Sequence, residues 1–311
     1  MNVSGKLKLI LTASKSSQEE LARLLGVSFV TLNSWINERS LPHKKRLEKI
    51  NDLYLKYTGQ KKIPKSFLLG KKEILKKKSK KHKNVLIKIL KNPDIYDQFI
   101  LSLTYNTNSI EGSTLSENDT AAILFQDKTL ANKTLTEQIE AKNHQATLKY
   151  LFRFCENKNT KQEINEELIC KLHAILMNSI RDDAGFYRRH AVRIVGANIP
   201  AANFLKIPKL MKELVTDINK KKQDIISHAA QIHSQFEQIH PFSDGNGRIG
   251  RLLIHAMAFR RNLPPALIKA KNKSIYYAVL NKAQKDQDHS ALEDFLLDAF
   301  LDGFEILERT Q

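Results

Sequence analysis

One segment of the chain, HPFSDGNGRIGR from His240 to Arg251, combines residue types that bind phosphate. Gly245 and Gly247 allow the backbone to turn sharply and to approach a ligand closely. The amides that open the following helix point at that ligand, with the positive end of the helix dipole behind them. Arg248 and Arg251 are three residues apart, so both project from the first helical turn toward one face and can pair with phosphoryl oxygens. The segment therefore predicts a phosphate-binding loop.

Two more side chains of this segment have chemistry suited to a phosphate ester. Asp244 offers a hard oxygen ligand of the kind that Mg²⁺ takes in phosphate sites. His240 stands just before the loop, where a neutral imidazole could accept the proton of an attacking hydroxyl near neutral pH. The alternative is a loop of satisfied polar residues, but two arginines and an aspartate have little structural use beside a double-glycine turn. The composition therefore indicates phosphate-ester chemistry.

The same segment resembles the signature of the Fic family, HPFx[DE]GNGRxxR, at every fixed position. In that family the fold is a bundle of helices, and the usual reaction transfers AMP from ATP to a serine, threonine or tyrosine hydroxyl of a target protein. The resemblance implies an enzyme, a protein adenylyltransferase (AMPylase), with ATP as substrate and Mg²⁺ as cofactor. Its partners would be ATP and a target protein that the sequence does not identify, and modification of the chain itself stays open.

The resemblance also implies a role for each residue of the loop. His240 would be the general base and Asp244 the Mg²⁺ ligand. Arg248 would contact the β-phosphate and Arg251 the γ-phosphate. The glycine-rich part of the loop would hold the α- and β-phosphates, and two tyrosines resemble a family position near the nucleotide base. The residues implied to bind the nucleotide are Gly245, Asn246, Gly247, Arg248, Arg251, Tyr276 and Tyr277.

A second motif lies upstream, where Thr107 and Glu111 are followed by Gly112. On a helix Thr107 and Glu111 are one turn apart on the same side, and Gly112 would end that helix. The segment TNSIEG resembles the inhibitory pattern [ST]xxxE[GN] of Fic proteins, in which the glutamate pairs with the second arginine of the signature, here Arg251. The resemblance implies that Glu111 occupies the space of the γ-phosphate and inhibits AMP transfer. Two alternatives stay open: a surface or capping acid, and a glutamate that activates water to remove AMP from targets.

A short β-hairpin is predicted on the helical body between residues 188 and 194, because Val192 and Ile194 alternate with polar residues before Gly196. Residues 185–196, GFYRRHAVRIVG, resemble the flap of Fic proteins, which binds a target segment by main-chain pairing and aligns its hydroxyl with the catalytic histidine. A surface hairpin without such a role is the alternative. The predicted target-binding residues of the flap are Val192, Arg193, Ile194 and Val195.

Residues 17–38 have the pattern of two short helices around a turn, with Gly26 at the turn and Ser28 able to cap the second helix. These placements resemble the helix-turn-helix of the Cro and phage-repressor family, whose second helix enters the major groove of DNA. The basic residues Lys44 to Arg46 would then lie near phosphates. A helical hairpin that binds protein is the alternative. The side chains implied to face DNA are Ser28, Phe29, Thr31, Asn33 and Asn37.

Charge and periodicity divide the chain. Residues 1–91 contain 23 Lys and Arg against 6 Asp and Glu, whereas residues 92–311 contain 28 against 27. The basic front suggests a polyanionic partner such as DNA, RNA or an anionic membrane surface, or else a solvated lysine-rich surface.

The predicted fold class is all-α: a Fic helical bundle with a short β-hairpin flap and a small N-terminal helix-turn-helix domain. The predicted segments are a helix-turn-helix domain (1–58), a basic linker or helix (59–91), and a Fic catalytic domain that includes the inhibitory helix (92–311).

The cysteines and the apolar runs of the sequence indicate in which cellular compartment the protein is expected. Cys155 and Cys170 are the only cysteines and form no CxxC pattern, so buried free thiols are predicted rather than a disulfide or a metal site. No eighteen apolar residues run together, and the apolar patch at the amino terminus is too short for a signal peptide. A soluble cytoplasmic protein is expected, unless a dedicated secretion system exports it.

A second hypothesis belongs to another functional class. In this hypothesis the chain is a DNA-binding transcriptional regulator, and its Fic domain serves as a sensor of a nucleotide or a partner. The two functions can also coexist. His240→Ala distinguishes them, because the substitution would abolish AMP transfer and leave DNA binding intact.

Overall fold

The computed structural model describes residues 1–156, 163–193, 199–222 and 224–309, and it is built from helices. The all-α prediction is confirmed, and no β-strand occurs in these ranges. The predicted hairpin is therefore not observed there: Val192 and Arg193 have no regular secondary structure, and Ile194 and Val195 lie outside the described residues. Two alternating apolar residues are a short signal, and a hairpin needs a second strand to pair with.

The described residues form fifteen α-helices and two short 3₁₀-helices, Phe204–Lys206 and Ala270–Asn272. None of these helices is long and apolar enough to span a bilayer. The α-helices are α1 (Val3–Ser14), α2 (Gln18–Leu25), α3 (Phe29–Ile36), α4 (Lys44–Tyr57), α5 (Lys65–Lys81), α6 (Val85–Lys91), α7 (Pro93–Glu111), α8 (Glu117–Phe125), α9 (Leu135–Glu156), α10 (Glu166–Leu176), α11 (Ile207–Ile218), α12 (Ile225–Ile239), α13 (Asn246–Phe259), α14 (Lys273–Asp286) and α15 (Ser290–Leu307).

The chain forms two compact units. The first consists of Met1–Ile63 and Lys271–Leu292, and the second of Pro64–Ala270 and Glu293–Gln311. This division differs from the predicted segments 1–58, 59–91 and 92–311, which rest on charge and periodicity and stay predictions. The difference arises because α14, although late in the sequence, packs against α1 and α4 of the first unit.

The first unit contains the predicted helix-turn-helix. α2 begins at a capping box, in which the Ser17 hydroxyl accepts the Glu20 N–H and the Glu20 carboxylate accepts the Ser17 N–H. α2 ends at Gly26, whose φ of 70° is in the left-handed region. Ser28 caps α3 by accepting the Thr31 N–H, as its position in the sequence predicts. The helices α1 to α4 share a core made of Leu7, Ile10, Leu21, Ala22, Leu25, Leu32, Trp35, Ile36 and Ile50.

Arg46 of α4, which the sequence predicts near phosphates, binds main-chain carbonyls of its own unit. Arg46 donates from Nη1 to the Leu25 carbonyl at 2.7 Å and from Nη2 to the Gly26 carbonyl at 2.9 Å. Leu25 and Gly26 end α2, so the guanidinium satisfies carbonyls that the helix leaves without intrahelical partners. Arg46 therefore supports the turn, whereas Lys44 and Lys45 are exposed and stay candidates for phosphate contact.

Arg46→Met is expected to lower the free energy of unfolding of the first unit by about 1–3 kcal/mol, because two helix-terminal carbonyls lose a charged donor. Trp35 is the only tryptophan and is 5% exposed in this core, so its fluorescence during urea unfolding reports on the first unit. Lys45→Met, at an exposed neighbouring position, should change the free energy by less than about 0.5 kcal/mol. Equal unfolding midpoints for the two variants would contradict the proposed capping role of Arg46.

In the second unit α13 is the central helix. All of its residues except Gly247 and Phe259 are buried, and it packs against α7, α9, α10 and α12. A helix that is buried on almost every side must pack against other helices around its whole circumference, and these four helices provide that packing. The first turn of α13 carries the predicted phosphate-binding arginines, so the same four helices position the site.

The basic segment after the first unit is a packed part of the second unit. Lys71 of α5 pairs with Asp294 of α15 at 2.6 Å. Lys72 pairs with Asp224 and with Glu293, each at 2.5 Å. These partly buried pairs hold one side of α5, while its other side is exposed. Lys65–Lys81 and Val85–Lys91 of this basic segment are helical.

Candidate active site

The predicted phosphate-binding loop connects the carboxyl end of α12 to the amino end of α13. His240 caps α12 with φ 51° and ψ 61°, a left-handed conformation that turns the chain out of the helix. Gly245, with φ 76°, precedes the first residue of α13. A Cβ atom at Gly245 would lie 3.0 Å from the Sδ atom of Met177, so both the backbone angles and the packing favour glycine here.

The loop is held from inside the bundle by Asn246 and His173. The side-chain amide of Asn246 accepts the Phe242 N–H at 2.9 Å and donates to the Phe242 carbonyl at 2.8 Å. The His173 ring stacks on Phe242 with centroids 3.8 Å apart. Its Nδ1 accepts the Gly185 N–H at 2.8 Å, so Nε2 carries the proton and donates to the Asp244 carbonyl at 3.1 Å. Burial lowers the pKa of His173 to about 4, which keeps the ring neutral.

The Asn246 side chain makes these two bonds to Phe242, and the residue is 2% exposed. The family resemblance implies a contact between Asn246 and phosphate. The side-chain amide has two N–H donors, of which Phe242 uses one, so such a contact does not require the bonds to Phe242 to break, and it stays a prediction.

The imidazole of His240 is oriented by its Nδ1, which lies 3.2 Å from the Glu237 carbonyl. A carbonyl can only accept, so Nδ1 carries the hydrogen and Nε2 keeps the lone pair. Burial lowers the pKa of His240 below its usual value. The charge of Arg188 lowers this pKa further, and Glu111 and Asp244 raise it without reversing the shift. The ring is thus neutral at neutral pH, and its Nε2 can accept a proton.

Asp244, the predicted Mg²⁺ ligand, points out of the bundle. Its side chain is 56% exposed, and its Oδ1 accepts the Gly245 N–H at 2.6 Å and lies 4.0 Å from Nη2 of Arg248. Across the described ranges no group of three or more His, Cys, Asp or Glu is placed to hold a metal. A single exposed carboxylate nevertheless fits Mg²⁺ in a nucleotide site, because this ion is usually bound by one or two carboxylates together with substrate phosphates and waters.

Arg248 is paired with an acid that sequence reasoning missed. Its side chain is 2% exposed, and Nη1 donates to Glu140 Oε1 of α9 at 2.8 Å. Nη2 lies 3.7 Å from the sulfur of Met177. A buried guanidinium requires an opposite charge, so a carboxylate partner could have been expected. The sequence alone offers no way to choose Glu140 from the other acids, because the choice depends on how α9 packs against α13.

Arg251 is bound by both residues of the upstream motif. Its Nη2 donates to Glu111 Oε1 at 2.5 Å, and its Nε donates to the Thr107 hydroxyl at 2.7 Å. Thr107 and Glu111 lie on one side of α7, as the four-residue spacing predicts, and α7 ends at Gly112 with φ 113°. The Arg251 side chain is 4% exposed and that of Glu111 is 31% exposed. The upstream motif and the signature loop are therefore in direct contact.

Glycine at position 247 leaves room for this ion pair. An added Cβ at Gly247 would lie 2.5 Å from Glu111 Oε1 and 3.2 Å from Arg251 Nη1. Any larger residue would push against the Glu111 carboxylate. Gly247 lies in the first turn of α13, where the sequence predicts the phosphates.

A group of buried ionisable side chains surrounds the contact between α12 and α13. It comprises His233 and Glu237 of α12 and His255 of α13. Burial raises the pKa of Glu237 to about 8 and lowers the pKa of both histidines to about 3. All three are consequently neutral near pH 7, so the two histidines place no second positive charge beside Arg251, and Glu237 places no second negative charge near Glu111. A Cβ at Gly250 would lie 2.6 Å from Glu237 Oε1, so this glycine permits the close approach of the two helices.

The remaining predicted site residues belong to the segment 192–195 and to α14. Val192 is half-buried and Arg193 is exposed, both without regular structure, and Ile194 and Val195 lie outside the described residues. Tyr276 and Tyr277 lie on α14, in the first unit, with ring centroids 5.2 Å apart. Their predicted place near a nucleotide base stays a prediction.

Comparison with known families agrees with this geometry. Residues 163–258 match the Fic/DOC family, and residues 7–54 match a helix-turn-helix family. The chain carries a Fic/DOC family domain. The matched residues run from the start of the α10 region into α13 and so include the whole loop from His240 to Arg251.

Several curated relatives share this Fic domain. The chain is 30% identical over 185 residues to protein adenylyltransferase Fic of Aedes aegypti and 33% identical over 182 residues to protein adenylyltransferase fic-1 of Caenorhabditis briggsae. Each match covers 58% of this chain but 36% of the relative, so the chain spans about a third of the length of these relatives.

Solved structures confirm the Fic fold. A Fic domain containing signalling protein from Bacteroides thetaiotaomicron superposes with a TM-score of 0.65 at 24% identity, over 77% of this chain and 99% of that one. Fic-1 from Caenorhabditis elegans superposes with a TM-score of 0.66 at 20% identity, over 96% of this chain and 86% of that one.

Glu237 is expected to make the Fic domain less stable as pH rises. Its pKa of about 8 in the folded state exceeds the unfolded value of 4.5, so between these pH values the folded state binds more protons and the free energy of unfolding falls. Glu237→Gln cannot ionise and should exceed the wild type in unfolding free energy at about pH 9 by on the order of a few kcal/mol. Urea unfolding followed by circular dichroism at several pH values measures this. A difference that does not shrink toward pH 4.5 would contradict the raised pKa.

Proposed function

We propose that this chain is a Mg²⁺-dependent protein adenylyltransferase, which transfers AMP from ATP to a serine, threonine or tyrosine hydroxyl of a target protein. One observation carries the proposal: a neutral His240 with an available Nε2 lies on the same loop as the amino end of α13 and its two arginines. Curated relatives that match the Fic domain are named protein adenylyltransferases, which supports it.

In the proposed reaction the target hydroxyl oxygen attacks the α-phosphorus of ATP. A new P–O bond forms, the bond to the oxygen that bridges the α- and β-phosphorus breaks, and pyrophosphate leaves. His240 Nε2 takes the hydroxyl proton. The amides of residues 245–248 and the guanidinium groups of Arg248 and Arg251 hold the phosphates. Such a transfer depends mainly on positioning and charge compensation, and these groups contribute to both.

Mg²⁺ would be held by Asp244 together with phosphate oxygens. When bound, the ion would neutralise charge that develops on the leaving pyrophosphate. Asp244 suits this place because its carboxylate is exposed and is bonded within the loop through Oδ1. The loop itself is held by direct hydrogen bonds from His173 and Asn246.

We also infer that Glu111 inhibits the reaction in cis. The Glu111 carboxylate is bonded to Arg251, so a γ-phosphate that approached Arg251 would meet a like charge in the same space. Glu111 is the last residue of α7, where the helix dipole disfavours a negative charge. The ion pair with Arg251 and the bond between Arg251 and Thr107 oppose this effect and keep the carboxylate in place.

Glu111→Gly is expected to increase AMP incorporation by about 10²-fold, on the order of 3 kcal/mol, because the γ-phosphate of ATP can then pair with Arg251 in place of the Glu111 carboxylate. Label from α-³²P-ATP, transferred to the chain itself and to proteins of a host lysate, measures the effect. Glu111→Gln, which keeps the helix and removes the charge, should increase labelling in the same direction. γ-³²P-ATP should give no label, since the γ-phosphate leaves with pyrophosphate.

Two further variants make this experiment decisive. His240→Ala in the Glu111→Gly background should abolish labelling while ATP still binds. Glu117→Gly removes a carboxylate from α8 and leaves the Glu111–Arg251 pair intact, so it should behave like the wild type. If neither the wild type nor Glu111→Gly transfers label, the enzyme proposal fails. A DNA-binding regulator whose Fic domain senses a nucleotide or a partner is then the better description.

We propose a second function for the first unit, DNA binding through α3. Phe29 is 46% exposed and Val30 is 74% exposed on the first turn of this helix, the part of a recognition helix that reaches base edges. Ser28 and Thr31, which are bonded to each other, lie beside them. Asn33 is bonded to side chains of its own unit, so Phe29 is the predicted contact most available to a base. The helix-turn-helix match supports this function.

Phe29→Ala is expected to weaken binding to a preferred duplex by about 10- to 100-fold, because an apolar contact with a base edge is lost. Lys45→Ala should instead weaken binding to all duplexes and reduce the salt slope by about one. Fluorescence anisotropy at several salt concentrations, with a duplex selected from a random library, measures both effects. Phe125→Ala, at a phenylalanine of the second unit that is 42% exposed, is the matched control. Failure of the wild type to bind any duplex would exclude the function.

A further inference from the structure

Arg188 is a buried arginine of the segment between α10 and the 3₁₀-helix at Phe204, and it has no role in the reaction described so far. The residue is 3% exposed. Within the described ranges no carboxylate lies within 4 Å of its guanidinium, and all of its hydrogen bonds go to main-chain carbonyls. The Arg188 side chain therefore binds the surrounding backbone rather than an acidic side chain.

Three of the bonds made by Arg188 reach the end of α12 and the start of the phosphate-binding loop. Nε donates to the His240 carbonyl at 2.7 Å, and Nη2 lies 3.4 Å from the Ile239 carbonyl. The main-chain N–H of Arg188 donates to the Pro241 carbonyl at 2.9 Å. Carbonyls at the end of a helix lack intrahelical partners and carry its negative dipole end, so a guanidinium is favoured there. These bonds hold His240 in the left-handed conformation that directs its imidazole.

Two further bonds reach points that are distant from each other in the sequence. Nη1 donates to the His190 carbonyl at 2.7 Å, and Nη2 donates to the Ala202 carbonyl at 2.6 Å. The Ala202 N–H in turn donates to the Gln238 carbonyl of α12 at 3.1 Å. The Arg188 guanidinium thus links His190 and Ala202 to the carboxyl end of α12, where His240 lies.

We propose that Arg188 is a positioning residue, which sets the place of the His240 imidazole relative to the amino end of α13 and holds His190 and Ala202 against the same helix end. Its effect on activity rests on the proposed adenylyl transfer. None of its hydrogen bonds in the described structure reaches residues 244–251, where the phosphates would bind. Arg188 therefore acts on the rate of transfer and not on the affinity for ATP.

The geometry requires arginine rather than another cation. A guanidinium has five donors in a planar fork, which can reach carbonyls on opposite sides, whereas the ammonium of lysine is a single point. Arg188→Lys keeps the charge and approximate size of the side chain but cannot bridge His240, His190 and Ala202 together. This variant separates the role of the fork from the role of the charge.

The test uses the full chain with Glu111→Gly, and measures self-labelling over a range of ATP concentrations. Adding Arg188→Lys should lower the maximal rate by about 10²-fold, the loss expected when a base is displaced by about 1 Å. The ATP concentration at half-maximal rate should change by less than about twofold. Lys72→Met is the matched control, because it removes the ion pair to Asp224 at the opposite end of α12. It should leave both quantities near those of the parent.

A second measurement does not depend on activity. Hydrogen exchange of the full chain without ATP should be faster at the amides of Ala202 and Phe242 in Arg188→Lys, by about tenfold or more, and unchanged in Lys72→Met. An unchanged maximal rate in Arg188→Lys, or an equal loss of ATP affinity, would overturn the proposal. If Glu111→Gly transfers no label at all, the proposed function fails instead, and hydrogen exchange decides on Arg188: faster exchange supports its positioning role, and unchanged exchange overturns it.

Discussion

Compensation of two buried positive charges governs the structure of the Fic domain. Arg248 and Arg251 project from the first turn of α13, a helix that is buried on almost every side. An uncompensated charge in such a place would cost several kcal/mol. Glu140 of α9 and Glu111 of α7 supply opposite charges at 2.8 and 2.5 Å. The packing of α7 and α9 against α13 is therefore tied to charge compensation as well as to apolar burial.

The two ion pairs differ in how their acids are placed. Glu140 lies within α9, with a side chain that is 19% exposed, whereas Glu111 is the last residue of α7 and is 31% exposed. A side chain at a helix end beside a glycine cap can leave its partner with less rearrangement than one in the middle of a helix. The structure thus combines one arginine paired with an acid inside a helix and one paired with an acid at a helix end, which agrees with the proposed inhibitory role of Glu111.

Side chains that are neutral near pH 7 lie beside the phosphate-binding loop and the Arg248 and Arg251 ion pairs. His173, Glu237 and His255 are buried beside the site, and burial shifts the pKa of each so that it is uncharged near pH 7. Asn246 and His173 bond the loop through main-chain atoms, as Arg188 does at its other end. Most of these supports could not be predicted from the sequence, because a histidine or arginine on a helix or loop has no local pattern that reveals which distant carbonyl it meets.

The sequence by itself determined the features that depend on near neighbours along the chain: the helix-turn-helix with its Ser28 cap, the signature loop, and the side of α7 shared by Thr107 and Glu111. Helix periodicity, caps and glycine turns are set by residues within a few positions, so a pattern is sufficient. Only the tertiary structure decided that Glu140 pairs with Arg248, that Arg46 caps α2, and that α14 joins the first unit. Those outcomes depend on which helices pack together, and many side chains of the same type are equally suited until packing selects one.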